Sequence, residues 1–234
     1  MPLNDKRTLS CIEIDPSGQT KRSIIWLHGL GADGSDFVPI VPELMLPETL
    51  GVRFVFPHAP VMPITINQGF KMRGWFDIYG FSIDSKVDET GIQQSAQWVG
   101  ELIQHEEDRG IPSNQILLAG FSQGAVMATI AGLTYSKPLA GIIALSGCLP
   151  LADEIIKQGN TVNKTIPIFI AHGTEDATVP YALGKAAYSV LHQAHYPVTW
   201  HSYPMAHSIC AEELQDMHQW LMNVFNPERH SVSG

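Results

Sequence analysis

The chain has only three cysteines, Cys11, Cys148 and Cys210, among its 234 residues. A count that low and odd gives no disulfide framework and fits free thiols in a reducing compartment. Basic residues are also scarce: 14 Lys and Arg stand against 23 Asp and Glu, for a formal net charge of −9. They form no long run, and a phosphate backbone needs a basic footprint, so nucleic acid is disfavoured as a partner. No apolar stretch approaches the ~18 residues of a membrane span. The opening MPLNDKRTLS lacks the apolar centre of a signal peptide. The ten histidines are scattered and no H-E-x-x-H or C-x-x-C pairing occurs, so no metal site is expected. Internal repeats, low-complexity tracts and an interdomain linker are missing as well. The expectation is one cytoplasmic domain over residues 1–234, large enough to fold around its own core.

What the chain does have is alternation. Short, β-branched apolar runs recur: "SIIWLHG" (23–29), "VRFVFPH" (52–58), "QILLAGF" (115–121), "GIIALSG" (141–147), "IPIFIAHG" (166–173) and "VTWHSYP" (198–204). Runs that are apolar on both faces are the pattern of buried parallel strands. "LSCIEI" (9–14) alternates more and predicts an antiparallel edge strand. Helical patterns lie between: 89–110, 123–133, 179–194 and 211–225. The second is apolar nearly all round and predicts a buried helix. Strands alternating with helices predict an α/β fold, a mostly parallel sheet with helices on both faces.

Residues 59–88 break this rhythm and have no clear helical pattern. A connection that long in a compact domain is usually functional. Its aromatics, Phe70, Trp75, Phe76, Tyr79 and Phe81, argue against disorder. The tail 226–234 is expected to fray.

Gly120-Phe121-Ser122-Gln123-Gly124 fits G-x-S-x-G, between a strand pattern and a helix pattern. That context makes Ser122 a candidate nucleophile on a sharp strand-to-helix turn. The alternative is a small polar residue in a glycine-rich turn. A serine nucleophile needs a base, and the base an orienting acid, in the chain order Ser, acid, His. Both should lie just past later strands, at the carboxyl edge of the sheet. Glu175 and Asp176 follow the run ending at Gly173, and His207 follows the last strand. Asp176 is preferred because Glu175 reads as a solvated loop acid. Asp153, His195, His201 and His218 occupy helical, strand or pre-strand positions and fit less well. An oxyanion hole would take the backbone N–H of Gln123 and a second donor from "WLHGLGADGSDF" (26–37), where glycines let the Leu30 N–H turn inward. An ordinary glycine turn is the competing reading there.

Together the stretches "LHGLGADGSDF", "RGWFDI", "GFSQGAVMA", "LSGCLP", "HGTEDATVP" and "YPMAHSICAEEL" resemble the acyl-protein thioesterase and carboxylesterase branch of the α/β-hydrolases. The resemblance implies an α/β-hydrolase fold and a cofactor-free serine hydrolase of acyl esters or thioesters. It implies Ser122, Asp176 and His207 as catalytic triad, Leu30 and Gln123 as backbone oxyanion donors, and a loop around Trp75 that shapes an acyl groove. The same chemistry would serve a lysophospholipid or an acylated protein, and a catalytically silent binding module is the non-enzyme alternative. One departure is Gly147 in "LSGCLP", where many relatives carry a larger residue; the groove wall near Cys148 and Leu149 is expected to differ.

Phe70, Phe76 and Leu149 are further candidates for the acyl site, against the plainer reading that they cover the sheet edge. Lys71 and Arg73 could meet an acidic substrate part but suit a solvated face. Cys148, His28 and His172 read as structural. An exposed apolar loop could also mediate a homodimer.

Overall fold

The computed structural model describes residues 9–80, 86–158 and 161–225. Phe81 and the tail 226–234 lie outside the described residues.

The apolar runs form strands in the expected places. In chain order they are β1 (Cys11–Ile14), β2 (Arg22–Leu27), β3 (Val52–Pro57), β4 (Val61–Ile64), β5 (Phe70–Arg73), β6 (Ile116–Phe121), β7 (Gly141–Leu145), β8 (Ile168–Gly173) and β9 (Val198–Tyr203). Seven of them build one sheet in the order β1-β3-β2-β6-β7-β8-β9. Every pairing in it is parallel except that of β1, which joins β3 antiparallel at the edge. Glu13 is the exposed residue of β1, as an edge strand with one open side allows.

Six α-helices are present among the described residues: α1 (Ile40–Glu43), α2 (Glu89–Asp108), α3 (Gln123–Thr134), α4 (Ala152–Gln158), α5 (Tyr181–Gln193) and α6 (Ala211–Phe225). Successive strand residues point to opposite faces, so each strand feeds two cores. Ile25 and Leu27 belong to one core, shared with Val99 and Ile103 of α2, Met127 of α3 and Leu191 of α5. Ile24 and Trp26 belong to the other, shared with Ile40 of α1 and with Met217 and Leu221 of α6. The helix α3 is buried from Gln123 to Leu133, which accounts for its apolar circumference. Truncating Met127 or Ile130 there to alanine should cost about 2–5 kcal/mol.

The segment 59–88 is more built than its sequence suggests. Strands β4 and β5 pair antiparallel, Ile64 opposite Phe70, around a 3-10 turn at Thr65–Asn67. Asp77 ties the turn down by accepting the backbone N–H of Thr65 at 2.7 Å. A bridge between Ile78 and Val87 then leads to α2, where Asp88 caps the first turn by accepting from Gly91. The hairpin escaped the sequence reading because its strands are four residues long and half exposed, with little period-two signal.

Candidate active site

The turn between β6 and α3 places Ser122 in a conformation that L-residues rarely adopt, with φ 56° and ψ −117°. The flanking glycines make that turn possible. A Cβ on Gly120 would lie 2.2 Å from the Gly124 carbonyl oxygen, and one on Gly124 would lie 2.0 Å from the Leu27 carbonyl oxygen. Strand and helix therefore approach closer than any side chain allows, and the serine projects from the carboxyl edge of the sheet.

The loops after β8 and β9 bring an acid and a histidine together. His207 Nδ1 lies 2.6 Å from Asp176 Oδ2. The Asp176 side chain is buried, and its other oxygen accepts the backbone N–H groups of Thr178 and Val179, each at 2.9 Å. The Phe121 ring sits 4.7 Å from the His207 ring, centroid to centroid, and limits its rotation. His207 and Ser122 line the same cavity.

The other candidates for acid and base sit elsewhere. Glu175 is exposed. His201 Nδ1 contacts Asp216 Oδ2 at 3.1 Å, and His218 Nδ1 meets the Leu44 carbonyl oxygen at 2.8 Å. His195 lies just past the end of α5 with φ 62°, and Asp153 lies in α4. His172 is buried, with Nε2 2.8 Å from the Val179 carbonyl oxygen, and burial lowers its pKa. Cys148 lines the cavity, but desolvation pushes its thiol up to about 11, so it stays protonated near neutrality.

The cavity holds about 820 Å³, within the ~300–1,000 Å³ usual for small-molecule sites. Leu30, Gln123, Phe76 and Leu149 line it. Trp75 and Phe70 do not. Trp75 is 1% exposed and sits in the core, its indole N–H donating to the His28 carbonyl oxygen at 2.9 Å. Phe70 is 71% exposed on the hairpin, away from the cavity lining. The aromatic excess of 59–88 thus serves the fold at Trp75 and the cavity at Phe76. Arg73 donates to the Ala59 carbonyl oxygen at 2.8 Å, and Lys71 is exposed.

Two parts of the site were missed in the sequence. One cavity wall comes from α5, through Leu183, Ala187 and Val190. Their i, i+4, i+7 spacing is one helical stripe and could have revealed it. The other is the Gln123 side chain, whose amide accepts from the Trp75 N–H at 2.8 Å and donates to the Phe76 carbonyl oxygen at 2.7 Å. No group of three His, Cys, Asp or Glu side chains suited to a metal occurs among the described residues.

Known proteins resemble this chain in sequence and in fold. A family model described as phospholipase/carboxylesterase matches residues 10–225. The chain is 37% identical to acyl-protein thioesterase 1 of Cryptococcus neoformans over 232 residues, covering 92% of this chain and 97% of the relative. It is 42% identical to acyl-protein thioesterase 1 of Neurospora crassa over 211 residues, covering 85% of each. Among solved structures, SOBER1 of Arabidopsis thaliana superposes with a TM-score of 0.82 at 33% identity, covering 87% of this chain and 98% of that one. Acyl-protein thioesterase 2 of Zea mays gives 0.83 at 27% identity, covering 92% and 99%. The chain belongs to the phospholipase/carboxylesterase family of α/β-hydrolases, and it is an ester- or thioester-cleaving hydrolase.

Proposed function

We propose that Ser122, His207 and Asp176 are the catalytic triad of an acyl-ester and acyl-thioester hydrolase with an apolar acyl site. The observation that carries the reading is a strained serine and a histidine bound to a buried carboxylate, both opening onto one cavity. His207 takes the Ser122 proton as Oγ attacks the acyl carbonyl carbon. Asp176 holds the proton on Nδ1 and stabilises the imidazolium. The N–H groups of Leu30 and Gln123 receive the oxyanion. Collapse of the tetrahedral intermediate expels the thiolate or alkoxide, which takes the proton from His207 and leaves the ring neutral. His207 then takes a proton from water as the water oxygen attacks the acyl-enzyme, and returns it to Ser122 Oγ as the acid leaves. Every step uses the chain's own groups and needs no cofactor.

Leu149, Leu183, Ala187 and Val190 give the acyl chain an apolar wall. Given the acyl-protein thioesterases to which the chain is similar, a protein S-acyl thioester is the favoured substrate class. A cytoplasmic setting suits the three free thiols. Among the described residues no helix is long and apolar enough to cross a membrane.

The test is a chain-length series of acyl esters against matched S-acyl cysteine peptides and lysophospholipids. Expected is a kcat/KM that rises with chain length and favours the thioester. Preference for acetate, or for the lysophospholipid head, would contradict the substrate class.

A further inference from the structure

The Gln123 amide is not needed for the chemistry above, which uses only the backbone of that residue. It is nevertheless buried and spends both its acceptor and its donor on one short segment, Arg73–Phe76. The same segment reaches the other side of the site. The Arg73 carbonyl oxygen accepts the N–H of Gly31 at 2.8 Å, next to Leu30. The Trp75 indole donates to the His28 carbonyl oxygen at 2.9 Å, and the Ser95 hydroxyl donates to the Trp75 carbonyl oxygen. Four residues thus act as a strap between the two loops that carry the oxyanion donors.

His28 completes the connection. Its ring is fully buried, and Nε2 lies 3.0 Å from the backbone nitrogen of Ala59. A backbone N–H can only donate, so Nε2 is the unprotonated nitrogen. The proton therefore sits on Nδ1 and is donated to the Gly29 carbonyl oxygen at 2.7 Å. Burial lowers the pKa of this ring, in keeping with the neutral form. In a trans peptide the Gly29 C=O and the Leu30 N–H share a plane and point in opposite directions. Holding the carbonyl oxygen of Gly29 fixes where the N–H of Leu30 points. At the other donor, the Gln123 N–H opens α3 and has no partner in the helix.

We propose that the Gln123 amide and the His28 imidazole are positioning residues that lock the Leu30 and Gln123 N–H groups into one preorganised pair through the Arg73–Phe76 strap. This rests on the serine-hydrolase reading of the site. Preorganised donors stabilise the oxyanion because they need not reorient as charge develops. A strap that served folding alone would leave the pair's grip on an oxyanion intact in whatever fraction of molecules folds.

The test uses the full chain with Gln123→Met, which keeps the length and removes both side-chain hydrogen bonds, and Trp75→Phe, which removes the indole N–H together with part of the ring. Active sites are titrated with a fluorophosphonate. Then kcat and KM for p-nitrophenyl butyrate are measured beside the inhibition constant of an alkyl trifluoromethyl ketone, whose serine adduct carries an oxyanion. Deleting a whole donor costs about 10²–10³ in kcat, so loosening the pair through Gln123→Met should cost roughly 10–100-fold. KM should stay within about threefold, with ketone affinity falling in step with kcat, because the loss is confined to the transition state. Trp75→Phe should move both quantities together by roughly 3–10-fold, and it decides the matter if Gln123→Met does not fold. Variants whose titratable sites bind the ketone as tightly as the unaltered chain would overturn the frame alone. Failure of the unaltered chain to bind the ketone would overturn the serine reading and the frame with it.

Discussion

His207 Nδ1 and Asp176 Oδ2 lie 2.6 Å apart, and the carboxylate is sealed from solvent beneath the histidine. They are 31 residues apart in the chain and meet because β8 and β9 are neighbours whose loops emerge on one sheet edge. With Asp176 accepting at Nδ1, the Nε2 lone pair of His207 is free to take a proton.

Asp176→Asn should keep the fold and lose the chemistry. An amide can hold the ring but favours the wrong tautomer and cannot stabilise the imidazolium. We expect kcat for p-nitrophenyl butyrate to fall about 10³–10⁴-fold at neutral pH, with Tm nearly unchanged. Circular dichroism melts beside the kinetics check both halves. A loss smaller than tenfold would remove Asp176 from the triad.

Gly184→Ala should damage the site from behind. A Cβ there would lie 2.2 Å from His172 Nδ1, and His172 has no room to retreat. That ring contacts the Val179 carbonyl oxygen at 2.8 Å and lies 3.3 Å from Asp176 Oδ2. Pushing it displaces the loop that presents the acid. Overpacking of this kind costs about 1–3 kcal/mol, and a lowered Tm with a reduced kcat is expected. Unchanged values of both would show that α5 shifts freely.

Glu213 gives the fold a pH dependence unrelated to catalysis. It is fully buried in the first turn of α6, and burial pushes its carboxyl from the ordinary 4.5 to about 8, against an opposing pull from the Cys210 backbone. The folded pKa lies above the unfolded one, so the fold favours the neutral acid. The stabilisation is full below the unfolded value and is lost as pH rises through about 8. Glu213→Gln should therefore raise the unfolding free energy relative to the unaltered chain by an amount that grows from pH 5 to pH 8, about 1–4 kcal/mol at the upper end. Urea melts at both pH values measure it. A difference that does not change with pH would contradict the assignment.

The sheet was legible because buried parallel strands must be apolar on both faces, and "IFIAHG" or "GIIAL" can hardly be anything else. The approach of Asp176 to His207, and of His207 to the cavity that Ser122 lines, was legible because polar groups at the carboxyl ends of neighbouring parallel strands collect on one sheet edge. Trp75 was misplaced for a physical reason. An aromatic in a long connection suits a groove or a core equally, and only the indole bond to His28 decides it. The Gln123 amide was invisible because its partners lie 48 and 47 residues upstream, in a segment with no periodic signal.

The central claim is that Ser122 carries the acyl group. Its most direct test is kcat for a p-nitrophenyl acyl ester in Ser122→Ala, with circular dichroism to verify the fold. A fall of roughly 10³-fold or more in a folded protein is expected. Retention of even about a tenth of the activity would contradict it, since removing a nucleophile cannot leave so much.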